Sequence, residues 1–156
     1  MSRRILALRL NRRAVGAVVL TDDALTMTEG RHLTSERARA VPAALRYVSR
    51  LLSQSGSKTV VLDTPAALPG TTTRMVLDGI LHLLSSQGLT PLLIGKGDIL
   101  SAYGIAVRTR SEVREVVGTF WPELVRMAGR VKPYAIDAAA AALYAECHLA
   151  LTPAPA

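Results

Sequence analysis

The spacing of its apolar runs constrains this chain more than any other feature. Ile5–Leu10, Ala14–Leu20 and Leu25–Leu33 are each of strand length, separated only by Asn11-Arg12-Arg13 and by a turn at Asp22-Asp23. Connections this short cannot hold a crossover, so the three runs read as an antiparallel meander. After Leu33 the period changes. Val41, Ala44, Leu45, Val48, Leu51 and Leu52 fall at helical spacing behind a capping Thr34 or Ser35, and this helix stops near Gly56. Thr59–Leu62 is a continuous apolar strand ending at Asp63. Thr71–Thr73 cap a second helix that keeps its period to Gly88, and Leu89–Ile94 reads as a fifth strand. A short helical stretch follows to Tyr103. Another begins at Ser111-Glu112-Val113-Arg114 and continues brokenly past Trp121-Pro122. Pro133 introduces a last helix, Tyr134 to about Leu149.

This order predicts an α/β fold. Its mixed five-stranded sheet has three antiparallel strands, then two parallel ones, with helices on both faces. In such sheets ligands sit at the carboxyl ends of strands, which brings forward Arg9, Asn11 and Asp63. We expect one domain over residues 1–150 and a flexible Pro/Ala tail at 151–156. A chain of 156 residues, 49% hydrophobic, can bury a core without disulfides or a structural metal. Cys147, the single cysteine, can form neither an internal disulfide nor a multi-cysteine metal site, and reads as a core residue. No apolar run approaches a membrane span, and Arg9, Arg12 and Arg13 interrupt what would be a signal-peptide core. The expected compartment is the cytoplasm.

Charge gives the first functional direction. The net charge is +7, and 16 of the 19 basic residues are arginine. Residues 1–50 hold ten arginines against Asp22, Asp23, Glu29 and Glu36, so nearly all of the excess lies there. A basic region of this kind favours phosphate backbones, because each neutralised phosphate releases counterions. Other signals are weak. Gly95-Lys96-Gly97-Asp98 lacks the spacing of a phosphate loop and reads as a turn. His32, His82 and His148 lie apart in sequence, and Phe120-Trp121 before Pro122 reads as a loop anchor.

Several short motifs in this order resemble the RuvC branch of the ribonuclease H-like fold, the Holliday-junction resolvases. Ile5-Leu6-Ala7-Leu8-Arg9-Leu10-Asn11 followed by Gly16-Ala17-Val18-Val19 is similar to that family's opening strands. Val60-Val61-Leu62-Asp63 is similar to its fourth strand, which ends in a carboxylate. Tyr134-Ala135-Ile136-Asp137-Ala138-Ala139-Ala140 is similar to its last helix, and Phe120-Trp121-Pro122-Glu123-Leu124 to the segment before that helix. The resemblance implies two-metal hydrolysis of DNA, with about four acidic or histidine ligands holding two divalent cations.

The departures from that pattern lie at the ligands. Arg9 occupies the place of the first-strand aspartate that bridges both metals, and a guanidinium cannot be deprotonated in a protein. Asp137 fills one of two ligand positions on the last helix. In one register Tyr134 stands where the earlier ligand would be; in the other, Ala140 stands where the later would be. Asp63 and Asp137 are thus the remnant carboxylates. Arg9 either bridges them by charge-assisted hydrogen bonds or turns outward to solvent or a phosphate. Arg12 and Arg13, then Arg108 and Arg110, are the expected phosphate contacts.

The resulting expectation is a pseudo-nuclease without a metal cofactor that binds branched or duplex DNA. Alternatives are a structural homodimer or complex subunit, with the helix at 71–87 as first candidate face, and an altered-site endonuclease using Mg²⁺ or Mn²⁺.

Overall fold

The structure, a computed structural model, describes residues 3–103, 109–127, 129–130 and 132–151. Three strands open it: β1 (Arg4–Leu10), β2 (Ala14–Thr21) and β3 (Ala24–His32). Helix α1 (Arg37–Ser55), strand β4 (Thr59–Asp63), helix α2 (Thr72–Ser86) and strand β5 (Leu92–Ile94) follow. Helices α3 (Lys96–Ala102), α4 (Arg110–Phe120), α5 (Pro122–Val125) and α6 (Lys132–Leu151) complete the described chain. The sheet order is β3-β2-β1-β4-β5, antiparallel within the meander and parallel from β1 through β4 to β5. Among the described residues, no helix is long and apolar enough to cross a membrane.

The central position of β1 explains its unbroken apolar character. Both of its faces are covered, so every residue from Ile5 to Leu10 is buried, Arg9 included. Leu6, Leu8 and Leu10 point to the face covered by α1 and α2. Ile5 and Ala7 point to the opposite face, covered by α6 with α3, α4 and α5. The strand alternation sends Arg9 to the α6 face as well.

Helix α6 is built to lie close on that sheet. Ala135 and the run Ala138–Ala142 are all buried, so the helix offers little side-chain bulk. Its first turn rests on Gly16 of β2. A Cβ added at Gly16 would lie 2.2 Å from the Tyr134 carbonyl oxygen, so only glycine fits there. Gly16 is the register partner of Arg9, and Asp63 is Arg9's parallel partner on β4. This close approach brings Asp137 over the ends of β1 and β4.

Boundaries differ from the sequence reading where capping decides them. Helix α1 starts at Arg37 behind Glu36, because the Thr34 hydroxyl instead accepts from the Glu36 N–H within a turn. Strand β5 is only Leu92–Ile94, because the Leu89 N–H is spent on the Leu84 carbonyl at the end of α2. Helix α4 starts at Arg110, one residue earlier than expected. The Thr109 hydroxyl accepts from the Glu112 N–H at 3.2 Å and sets the start. Asp98 closes the Gly95 turn by accepting from the Gly95 N–H at 2.9 Å. Trp121 is buried as an anchor, while Phe120 beside it is exposed. Cys147 lies on the exposed side of α6, not in the core, because the sheet-facing stripe is taken by alanines. Leu151, the first residue of the expected tail, is the last residue of α6, and residues 152–156 lie outside the described residues.

Candidate functional site

Two aspartates and three arginines meet at the carboxyl ends of β1 and β4. Asp63 ends β4 and is fully buried; Asp137, on the second turn of α6, is 1% exposed. Each carboxylate is gripped by a forked guanidinium from α4. Arg110 donates through Nη1 to Asp63 Oδ2 at 2.8 Å and through Nη2 to Asp63 Oδ1 at 2.9 Å. Arg114 donates through Nε and Nη2 to the two oxygens of Asp137, both at 2.9 Å. These are short, parallel, charge-assisted bonds, the strongest arrangement available to such pairs. Arg110 and Arg114 are one helical turn apart on a shared face, so one helix holds both acids.

Arg9 lies between the two acids. Its Nη1 donates to Asp63 Oδ1 at 3.5 Å, and its Nε is 3.6 Å from Asp137 Oδ2. Of the two orientations open to Arg9 in the sequence, the structure has the inward one. Its contacts are longer than those from α4, which reach all four carboxylate oxygens at 2.8–2.9 Å. Arg9 Nε has no hydrogen-bond partner in the protein.

The three charges are tuned differently. Burial, the largest influence, pulls the Arg9 pKa down; Asp63 opposes this and the neighbouring charge of Arg110 reinforces it. Burial also acts against the charge of Arg110, but the hydrogen bonds and charge of Asp63 outweigh it and the pKa is raised. The Arg114 pKa is raised first by its hydrogen bonds to Asp137. Arg110 sits at the start of α4, where the helix dipole disfavours a cation; Asp63 supplies the compensating charge.

The arginines expected to meet phosphate have different fates. Arg12 and Arg13 are exposed on the β1–β2 turn, which Asn11 shapes by accepting from the Arg13 N–H at 3.1 Å. Arg12 and Thr72 line two adjoining surface grooves, one also reaching Leu68 and the other Arg13 and Ser35. Arg110 is turned inward onto Asp63, its side chain 14% exposed, because a buried carboxylate outcompetes solvent for its fork. Arg108 lies outside the described residues. His32, His82 and His148 are all exposed.

Nothing local in the sequence marks Arg114 by itself as a site residue, and Arg110, expected at phosphate, instead holds Asp63. The available signal was their spacing, two arginines four residues apart on a helix beside two unmatched acids.

A divalent cation does not fit these residues. Every carboxylate oxygen of Asp63 and Asp137 already takes a guanidinium N–H. A permanent cation also stands where the resemblance puts a bridging aspartate. Among the described residues, no group of three or more His, Cys, Asp or Glu is placed to hold a metal.

No family model matches the sequence, and no curated protein matches it. Solved structures do. RuvC of Thermus thermophilus superposes with a TM-score of 0.76 at 15% identity, over 95% of this chain and 96% of that chain. T. thermophilus RuvC in complex with Holliday junction substrate gives 0.75 at the same identity and coverage. The yeast mitochondrial Holliday junction resolvase Ydc2 gives 0.62 at 12% identity, over 91% of this chain and 77% of that one. With the five-stranded mixed sheet and the paired aspartates at its carboxyl end, these likenesses show that the chain has the RuvC-like, ribonuclease H-like fold of the Holliday-junction resolvases.

Proposed function

We propose that this protein is a non-catalytic member of the resolvase fold that binds nucleic acid, branched or structured DNA in particular, through its arginine-rich N-terminal region. The observation that carries the reading is the forked pairing of both remnant carboxylates by Arg110 and Arg114. In two-metal hydrolysis the acids must present free lone pairs to the cations. Here each of the four carboxylate oxygens already accepts a guanidinium N–H, and three cations crowd the two acids, while exposed Arg12 and Arg13 stand at the same end of the sheet beside the grooves. A fold that T. thermophilus RuvC uses on a Holliday junction, stripped of free ligands and rimmed with arginine, suits holding DNA better than cutting it.

The test is a titration against a labelled four-way junction and a matched linear duplex, in EDTA, at two salt concentrations. Junction-selective binding that weakens steeply with salt supports the reading. Absence of binding to either DNA at low salt overturns it.

A homodimer or complex subunit is the second reading. Leu68 and Met75, both large and exposed, flank the start of α2, the face first expected to pair. Sedimentation of the free protein decides it: a dimer lost on Met75→Glu supports this face. The altered-site nuclease comes third, since Mg²⁺ or Mn²⁺ could bind only after Arg110 and Arg114 had left the acids.

A further inference from the structure

The arginine–aspartate cluster does not balance. Three guanidiniums face two carboxylates, leaving a surplus of one positive charge in a site where Asp63, Asp137 and Arg9 are all more than nine-tenths buried. The imbalance is located on Arg9. All four short bonds belong to Arg110 and Arg114. Arg9 is left with one long hydrogen bond, to Asp63, and an Nε that faces Asp137 Oδ2 at 3.6 Å, beyond hydrogen-bond distance. A buried cation with unspent donors is costly, and such a group marks either strain or a ligand. If the cluster served only to neutralise two orphaned acids, Arg110 and Arg114 would suffice, and a neutral residue at position 9 would leave the site balanced.

Resting on the nucleic-acid reading above, we infer that Arg9, with the outward edges of Arg110 and Arg114, holds one phosphodiester group directly, without a divalent metal. A phosphodiester carries one negative charge, which matches the surplus. Its two free oxygens accept guanidinium N–H bonds in forked geometry. Access is from the α4 side, where the Arg110 and Arg114 side chains reach 14% and 33% exposure. A guanidinium supplies positive charge to the phosphate but no activated water, so the backbone is held and not cut.

The experiment follows the arginine Nε–Hε signals by ¹H–¹⁵N NMR in EDTA. The unsubstituted protein is titrated first with dimethyl phosphate and then with a four-way DNA junction. The Arg9 signal is expected to shift with both. Arg9→Gln is expected to weaken junction binding about tenfold and to lower the slope of log affinity against log salt by about one. A merely structural arginine would not change that slope. A junction that binds while the Arg9 signal stays fixed, with affinity and slope unchanged in Arg9→Gln, overturns this inference and leaves the nucleic-acid reading standing. A shift with dimethyl phosphate but no junction binding overturns the nucleic-acid reading and keeps the phosphate site. Silence toward both probes overturns both. If Arg9→Gln does not fold, the Arg9 signal of the unsubstituted protein still decides.

Discussion

Replacing Asp63 by asparagine changes almost no volume and removes one buried charge. The charge of the five-residue cluster then rises from +1 to +2, and Arg110 loses one of its two acceptors. Arg9 and Arg110 have side chains only 9% and 14% exposed, so solvent can do little to compensate. Breaking a buried pair by removing one partner costs about 3–5 kcal/mol. For a chain of this size that is a fall in Tm of about 6–20 °C. Urea unfolding should show the midpoint falling with the slope unchanged, since the surface exposed on unfolding stays the same. The matching change at the other acid should cost less. Arg114 is 33% exposed, so water screens what Asp137 leaves behind, and Asp137→Asn should cost about 2–3 kcal/mol. A loss of less than about 1 kcal/mol for Asp63→Asn, within the range of exposed ion pairs, would refute the reasoning. So would a larger loss at Asp137 than at Asp63.

Further outcomes follow from the same geometry. Arg9→Met should be neutral or stabilising by urea unfolding, by up to about 2 kcal/mol, because Arg9 contributes a desolvated charge and no short bond. A loss above 3 kcal/mol by that measure would show that Arg9 is structurally required. Gly16→Ala should cost at least about 2–3 kcal/mol and shift Asp137 amide signals by NMR, since its Cβ collides with backbone of α6 that cannot yield. Arg9→Asp alone should not create a Mg²⁺ site by calorimetry, because Arg110 and Arg114 still occupy the acids; Arg9→Asp with both replaced by serine should. Tyr103 donates its hydroxyl to the Ala140 carbonyl at 3.0 Å, and burial raises its pKa. The unfolded phenol ionises near pH 10 while the folded one stays neutral. Stability is therefore whole below about pH 10 and falls as pH rises above it, and Tyr103→Phe should reduce that slope in alkaline urea titrations.

Much of the fold could be read from the sequence because its signals are local. The three-residue turn Asn11-Arg12-Arg13 and the Asp22-Asp23 turn leave the first three strands no pairing but a meander, which is what β1, β2 and β3 form. Asp63 could be placed because a continuous apolar strand ends at it. The site was only half legible. Arg9 and the two aspartates stand out as polar residues in apolar runs, but Arg110 and Arg114 look like any solvated helix face. Their role depends on where α4 begins, and that is set by Thr109, whose hydroxyl caps the helix and brings Arg110 into its first turn. It also depends on α6 lying close enough to bring Asp137 within reach. That closeness comes from Gly16 on β2, more than a hundred residues before Tyr134 in sequence, so no local pattern reports it. Cys147 went astray for a related reason: a helix so rich in alanine hides which of its faces is the inner one.

The central claim is that guanidiniums hold the acids which a nuclease of this fold would offer to metal. Titrating Mn²⁺ into the unsubstituted protein, alone and with a four-way junction, and reading paramagnetic broadening at Asp63 and Asp137 beside strand cleavage, tests it most directly. Sharp signals at both residues and an intact junction are expected. Saturable broadening at both residues, accompanied by cleavage, would contradict it.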